Sequence, residues 1–244
     1  LCDGEGRLVA CERKNRRVTR TEKDGSITVL ADRYRGGRFN SPNDLCIDSK
    51  GHIYFTDPRY GSRKGMEITE TIGDELRTNS PKRTEIEGVY RIDSVGKVTR
   101  ILCDGAERPN GILISQDGRF LMIADNNNNT HGGSRKLLRY ELDENGQVKA
   151  GTRKVLFDWR DGRGPDGMKM DAKGRIYVSG GTNKPTEFET TRFKAGCYIL
   201  SSTGRLIDFI PTAPDECCNC AFGGENGKTL FITSGGHLWS VPLK

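Results

Sequence analysis

Four short polar stretches recur along the 244-residue chain in matching surroundings. Asn43 and Asp44 stand in Ser41-Pro-Asn-Asp-Leu45, Asn110 in Arg108-Pro-Asn-Gly-Ile112, Asp166 in Gly164-Pro-Asp-Gly-Met168, and Asn219 in Cys218-Asn-Cys220. Pro42, Pro109 and Pro165 come directly before three of them, and an apolar residue follows within two positions. Carboxamide and carboxylate oxygens without a His or Cys partner are hard donors. Brought together, they suit Ca²⁺, or less closely Mg²⁺ or Mn²⁺. Taken singly, Asn-Gly and Asp-Gly are ordinary turn pairs. Their repetition in one register favours a shared site over coincidence.

Each marker opens the same kind of element. Ser41 to Gly61, Arg108 to Asp125 and Gly164 to Gly180 each read as an apolar run, a polar turn and an alternating apolar run. Cys218 to Ser234 is a weaker copy, and Leu1 to Glu12 is the same hairpin without its front. Between them lies a second hairpin type, at Arg16 to Leu30, Gly88 to Leu102, Leu137 to Phe157 and Gly196 to Ile210, with His237 to Leu243 as a single strand. The turns are of Asp-x-x-Gly or Glu-Asn-Gly type, where glycine supplies a positive φ.

Alternating inner and outer hairpins make four-stranded antiparallel sheets in series, the blades of a β-propeller. The markers Asn43, Asn110, Asp166 and Asn219 are 67, 56 and 53 residues apart, longer than the usual ~40–50 per blade, so the blades carry long loops. The expectation is an all-β, six-bladed propeller of four-stranded antiparallel blades forming one domain over residues 1–244, with an N-terminal blade segment missing. In such a fold the residues before the innermost strands converge on the central channel. The polar stretch from Ser62 to Glu87 interrupts the rhythm as either a cover over the channel mouth or a surface loop.

Composition narrows the class. No apolar run approaches the ~20 residues of a membrane span. The net charge of +6 is modest, and the dense run Arg13-Lys14-Asn15-Arg16-Arg17 has no aromatic residue for stacking on bases, so it reads as a solvated turn and not a nucleic-acid patch. Of the eight cysteines, Cys11, Cys46, Cys103 and Cys197 are expected as apolar strand fillers. Cys217, Cys218 and Cys220 lack the paired spacing of a zinc ribbon, although a bridge from Cys217 or Cys218 stays open. His52 is expected in solvent at a hairpin turn, and His131 in the loop Asn126-Asn-Asn-Asn-Thr-His-Gly-Gly133. No G-x-S-x-G elbow exists, which argues against a serine hydrolase.

SPNDL, YFTDPRYG, RPNGI, GPDGM, GRIYVSGG and NCAFGG together resemble the gluconolactonase branch of the SMP-30/gluconolactonase/luciferin-regenerating family, over Leu1 to Leu243. The resemblance implies a metal-dependent hydrolase of sugar lactones, a carboxylic-ester hydrolase acting on a small molecule, with one divalent cation. Ca²⁺ is expected first, with Mg²⁺, Mn²⁺ or Zn²⁺ as alternatives. Carried over by motif, Asn110 and Asp166 are the implied metal ligands and Asn43 lies beside metal and substrate, with Asp166 orienting or activating water. Tyr60, just after the Asp57-Pro58 corner, is expected either to line the substrate pocket or to be structural, and Asn219 is expected to face the same channel as a substrate-binding residue. The cation would polarise the lactone carbonyl. The family's further ligand, a Glu in an E-G-P motif, has no counterpart here and is expected in the missing segment. The alternatives are a propeller hydrolase of another ester, lactone or phosphoester, and a non-catalytic binding propeller, which would need no converging oxygen ligands.

Overall fold

Local chemistry closes the hairpins. In Asp48-Ser-Lys-Gly51, Asp48 Oδ1 accepts the amides of Lys50 and His52, each at 2.9 Å, and Gly51 takes φ +82°. Asp171 does the same for Lys173 and Arg175 at 2.9 Å, with Gly174 at φ +75°. A left-handed residue lets the strands turn back with their natural twist, and only glycine adopts it without strain. His52 departs from expectation. Its ring folds back onto the carboxylate that organises the turn, with Nδ1 2.9 Å from Asp48 Oδ2, so it is not a solvent residue.

The computed structural model describes residues 1–60, 87–213 and 215–243, and the contacts within them divide into two compact units, Leu1–Pro109 and Asn110–Lys244. The first holds a three-stranded sheet of β1 (Leu8–Glu12), β2 (Arg17–Thr21) and β3 (Ile27–Ala31). A two-residue ribbon of β4 (Arg33–Tyr34) and β5 (Gly37–Arg38) leads to a four-stranded sheet of β6 (Leu45–Ile47), β7 (Ile53–Asp57), β8 (Gly88–Ile92) and β9 (Val98–Leu102). The second unit has a four-stranded sheet of β10 (Pro109–Ile114), β11 (Phe120–Asn126), β12 (Arg135–Glu141) and β13 (Lys154–Asp158). Next comes another of β14 (Pro165–Met170), β15 (Ile176–Gly180), β16 (Gly196–Leu200) and β17 (Leu206–Pro211). Three strands, β18 (Cys217–Gly223), β19 (Thr229–Ser234) and β20 (His237–Pro242), complete the second unit.

The architecture is all-β and of propeller type, but the expected six blades of four strands are corrected: among the described residues there are five sheets of three or four strands. The described residues hold five copies of the repeat, counting Leu1 to Glu12, and each contributes one sheet. Ahead of β1 there is only an isolated bridge from Cys2 to Leu8, and beyond β20 no further strand occurs among the described residues.

Burial explains why the inner strands look so uniformly apolar. In β15 all five residues are buried. Ile176 and Val178 enter one cluster with Met122, Leu137, Trp159 and Met168, while Tyr177 enters another with Cys197, Cys220, Leu230 and Ile232. Successive side chains point to opposite faces, so this sheet is sandwiched between its two neighbours. In the first unit Val9, Val18, Phe39, Leu45, Phe55 and Tyr90 form the corresponding core between the two larger sheets. The outer strands keep apolar side chains half-exposed, Ile27 and Val29 on β3 and Leu206 and Ile207 on β17.

All eight cysteines are free. Cys46 and Cys197 are buried, and Cys11 is partly so, as expected of strand fillers. Cys103 is corrected, since it follows the end of β9 and is exposed. Cys217 and Cys220 join Cys197 in the core between the last two sheets, where hydrogen bonding with Cys220 and then burial hold the Cys197 thiol well above its ordinary pKa.

Candidate active site

Three of the four markers lie in the second unit, within the first residues of its inner strands and not ahead of them. Asn110 is the second residue of β10, Asp166 the second of β14 and Asn219 the third of β18. What brings them together is glycine. A Cβ on Gly111 would overlap the carbonyl oxygen of Asp166, and one on Gly167 would overlap the carboxamide of Asn219. Neither glycine has a positive φ. They are required for close approach, not for a turn. Pro-Asn-Gly and Pro-Asp-Gly therefore mark places where one inner strand presses on the next, which sets Asn110 beside Asp166 and Asp166 beside Asn219.

The strands are also bent there. β14 pairs regularly through Met168 but shifts register between Pro165 and Met168, and β18 shifts between Cys217 and Asn219. Such bulges re-aim a side chain that a regular ladder would hold in the pleat. Asn110 is buried, and Asp166 and Asn219 are partly so. Asn219 Oδ1 accepts the amide of Cys220 at 2.8 Å, which fixes its carboxamide over Gly167.

Sequence reasoning missed the charges around Asp166. Arg163 is buried, with Nη2 3.0 Å from Glu216 Oε2 and Nη1 3.5 Å from Glu189 Oε2. Burial works against its charge, but Glu216, Glu189 and Asp166 outweigh it and raise its pKa. Beside them Cys218, though it presents surface to solvent, has its thiol pushed up to about 11 by desolvation and then by the carboxylates of Asp166 and Glu216. A signal for Arg163 was present: an Arg stands shortly before the Pro of both Arg163-Gly-Pro-Asp166 and Arg108-Pro-Asn110.

The other expected residues are in the first unit. The amide of Asn43 donates to Thr56 O at 2.9 Å, and that of Thr56 donates to Asp44 O at 3.0 Å. The preceding loop is held by Asp57, whose buried carboxylate accepts the amides of Asn40 at 2.8 Å and Ser41 at 2.7 Å. Burial raises Asp57 to about 7 against those two bonds and the charge of Arg16. Tyr60 lies between the guanidinium groups of Arg13 and Arg108, 5.9 and 5.5 Å from its ring centre. Arg108 in turn pairs with Glu87 at 3.2 Å, and Glu87 also accepts the amide of Arg59. Of the loop expected from Ser62 to Glu87, residues 62–86 lie outside the described ones.

The donor set in the second unit fits a hard divalent cation by type, a carboxylate at Asp166 and a carboxamide at Asn110, on strands whose backbones meet at Gly111. Among the described residues no three His, Cys, Asp or Glu side chains gather as a metal centre, so carboxamide oxygens would have to contribute.

Comparison with known proteins agrees with this architecture. A gluconolactonase from Zymomonas mobilis is 33% identical over 223 residues, covering 89% of this chain. The chain spans only about half of that relative, 54% of its length. The solved structure of a gluconolactonase from Xanthomonas campestris superposes with a TM-score of 0.75 at 31% identity, covering 100% of this chain and 70% of that one. A calcium-binding regucalcin from Agrobacterium tumefaciens shares the fold at 19% identity and a TM-score of 0.64, covering 97% of this chain and 67% of its own. The family described as the SMP-30/Gluconolactonase/LRE-like region matches residues 1–236. With its repeated Pro-Asn-Gly and Pro-Asp-Gly strands, the chain belongs to the SMP-30/gluconolactonase/LRE-like family.

Proposed function

We propose that this chain carries the hydrolytic centre of a sugar lactonase that uses one divalent cation, Ca²⁺ in the first instance. The observation that supports the reading is the close approach of Gly111 to the backbone carbonyl of Asp166, which brings the strand positions of Asn110 and Asp166 next to each other. Family membership and the relatives described as gluconolactonases supply the substrate class.

In this reading Asn110 and Asp166 hold the cation. When bound, such an ion supplies Lewis-acid polarisation of the lactone carbonyl. The remaining work belongs to the chain. Asp166 accepts a proton from the attacking water or orients it. Arg163, buried and paired to Glu189 and Glu216, keeps a positive charge in the field of Asp166. Asn219 presents a carboxamide whose Oδ1 is held by the Cys220 amide, leaving its NH₂ to meet a substrate oxygen. The regucalcin neighbour described as calcium-binding supports the choice of ion.

The test combines metal titration with turnover. Ca²⁺, Mn²⁺, Mg²⁺ and Zn²⁺ are each added to the protein while Tm and glucono-1,5-lactone hydrolysis are followed. At least one ion should raise Tm and support hydrolysis, and both effects should vanish in Asp166→Ala. Turnover retained in that variant overturns the reading.

A further inference from the structure

A second feature of the Asn110–Lys244 unit is not used by this chemistry. Between the β11–β12 loop, the segment after β13 and the β15–β16 loop lies a cleft of about 350 Å³. His131, Arg135, Arg160, Asp161, Phe188 and Glu189 are among its walls. The cleft opens at the same edge of the sheet as Asp166. The strands of β14 to β17 are antiparallel, and Pro165, Gly180, Gly196 and Pro211 lie across one end in register.

Two buried polar atoms in these walls lack partners among the described residues. Arg135, 2% exposed, donates from Nη1 to Gly133 O at 3.0 Å and from Nη2 to Phe188 O at 2.8 Å and Thr130 O at 3.3 Å, yet its Nε is unmatched. Glu189, 4% exposed, engages Arg163 and Thr186 through Oε2 at 3.5 and 3.4 Å, while Oε1 is unmatched. Neither atom is open to the cleft; what its walls offer a ligand are the exposed side chains of Asp161, Thr186, Glu187 and Thr190, acceptors and hydroxyls that a sugar hydroxyl can answer because it both donates and accepts. The third wall is apolar. The rings of His131 and Phe188 meet edge to face with centres 4.9 Å apart, a surface suited to the C–H face of a pyranose. Arg135 and Arg160 are outnumbered by Asp161, Glu187 and Glu189, which disfavours an anion. A volume near 350 Å³ is at the small end of ligand sites, the size of one ring and not a chain.

We infer that this cleft is a subsite for an uncharged carbohydrate ring, beside the catalytic residues. Glu189 connects the two, since its Oε2 pairs with the same Arg163 whose charge sits in the field of Asp166. The subsite deepens the lactonase reading and rests on it for the rest of the substrate: a lactone bearing a glycosyl substituent, with the lactone at Asp166 and the second ring in the cleft.

The test uses the whole chain. Saturation-transfer NMR and calorimetry follow binding of methyl β-D-glucopyranoside, while kinetics compare glucono-1,5-lactone with its 4-O-glucosyl derivative. Glucoside binding should be saturable, unaffected by Asp166→Ala, and weakened about tenfold in Phe188→Ala and in Glu189→Gln. Phe188 is only half-buried, so its variant is expected to fold, and the near-UV spectrum checks this. The glucosylated lactone should have the lower KM, and Phe188→Ala should erase that advantage without changing kcat for gluconolactone. Absence of saturable binding, or binding indifferent to both cleft variants, overturns the inference. If the glucoside binds as stated but neither lactone is hydrolysed, the lactonase reading fails and the cleft stands. If gluconolactone is hydrolysed without glucoside binding, the cleft assignment alone falls.

Discussion

The α-carbon of Gly111 lies so close to the carbonyl of Asp166 that a methyl group at Gly111 would overlap that oxygen. This contact makes neighbours of two residues 56 positions apart, Asn110 and Asp166. It also distinguishes Gly111 from Gly167, whose obstructing neighbour is a side chain, that of Asn219. The Asn219 side chain can swing aside at the cost of its hydrogen bond from the Cys220 amide, whereas the Asp166 carbonyl belongs to a strand.

Gly111→Ala should therefore destabilise more than Gly167→Ala. Overpacking of this kind costs about 1–3 kcal/mol, and Gly111→Ala is expected at or above the top of that range. Urea unfolding of both variants measures the difference. Equal losses would show that the β10–β14 contact is softer than described.

Asp166→Asn keeps the volume of the side chain but removes its charge. Turnover should fall about a hundredfold or more if Asp166 handles the proton of the attacking water. The rise in Tm on adding the supporting cation should shrink in parallel, because stabilisation by a ligand follows its affinity for the native state. Steady-state kinetics and thermal melts with and without the ion check the two effects separately.

Cys218 reports on the same carboxylate independently of activity. Its thiol is held at about 11 by desolvation, Asp166 and Glu216, and alkylation follows the thiolate fraction. Iodoacetamide at pH 8 should modify the exposed Cys2 and Cys103 before Cys218. Asp166→Asn should speed the Cys218 reaction, as peptide mass mapping would record. An unchanged rate would mean that Asp166 exerts no field on this thiol.

The pair of Arg163 and Glu189 is buried, with side-chain exposures of 8% and 2%. Removing one partner of a buried pair leaves an uncompensated charge and costs about 3–5 kcal/mol. Arg163→Met should show that loss in chemical denaturation, and the double variant with Glu189→Gln should recover part of it. A double variant no better than the single one would mean that Glu189 does not depend on Arg163.

Asp57 gives a pH dependence of definite sign. Its folded pKa, about 7, is above the ordinary carboxylate value because the group is buried. The folded state then binds the proton more tightly than the unfolded chain, so stability from this group is full below about pH 4 and declines as pH rises through about 7. Tm measured from pH 4 to 8 should fall more steeply for the wild type than for Asp57→Asn. The reverse order would mean that the two amide bonds from Asn40 and Ser41 outweigh burial.

Much of this protein is written locally. Asp48, Asp171 and their glycines specify the hairpins because turn preference depends on a few adjacent residues, and alternation such as Ile176-Tyr-Val178 specifies strands for the same reason. Repetition of Pro-Asn-Gly and Pro-Asp-Gly made the family and the candidate residues Asn110, Asp166 and Asn219 legible. The tertiary structure decided what depends on distant segments meeting. The blade count fell to five because only strands that pair make a sheet. The glycines proved to be spacers between strands, a role set by Asp166 and Asn219 and invisible in their own φ. Arg163, Glu189, Glu216 and Cys218 joined the surroundings of Asp166 through packing alone, since charge–charge interaction depends on distance in space and not along the chain.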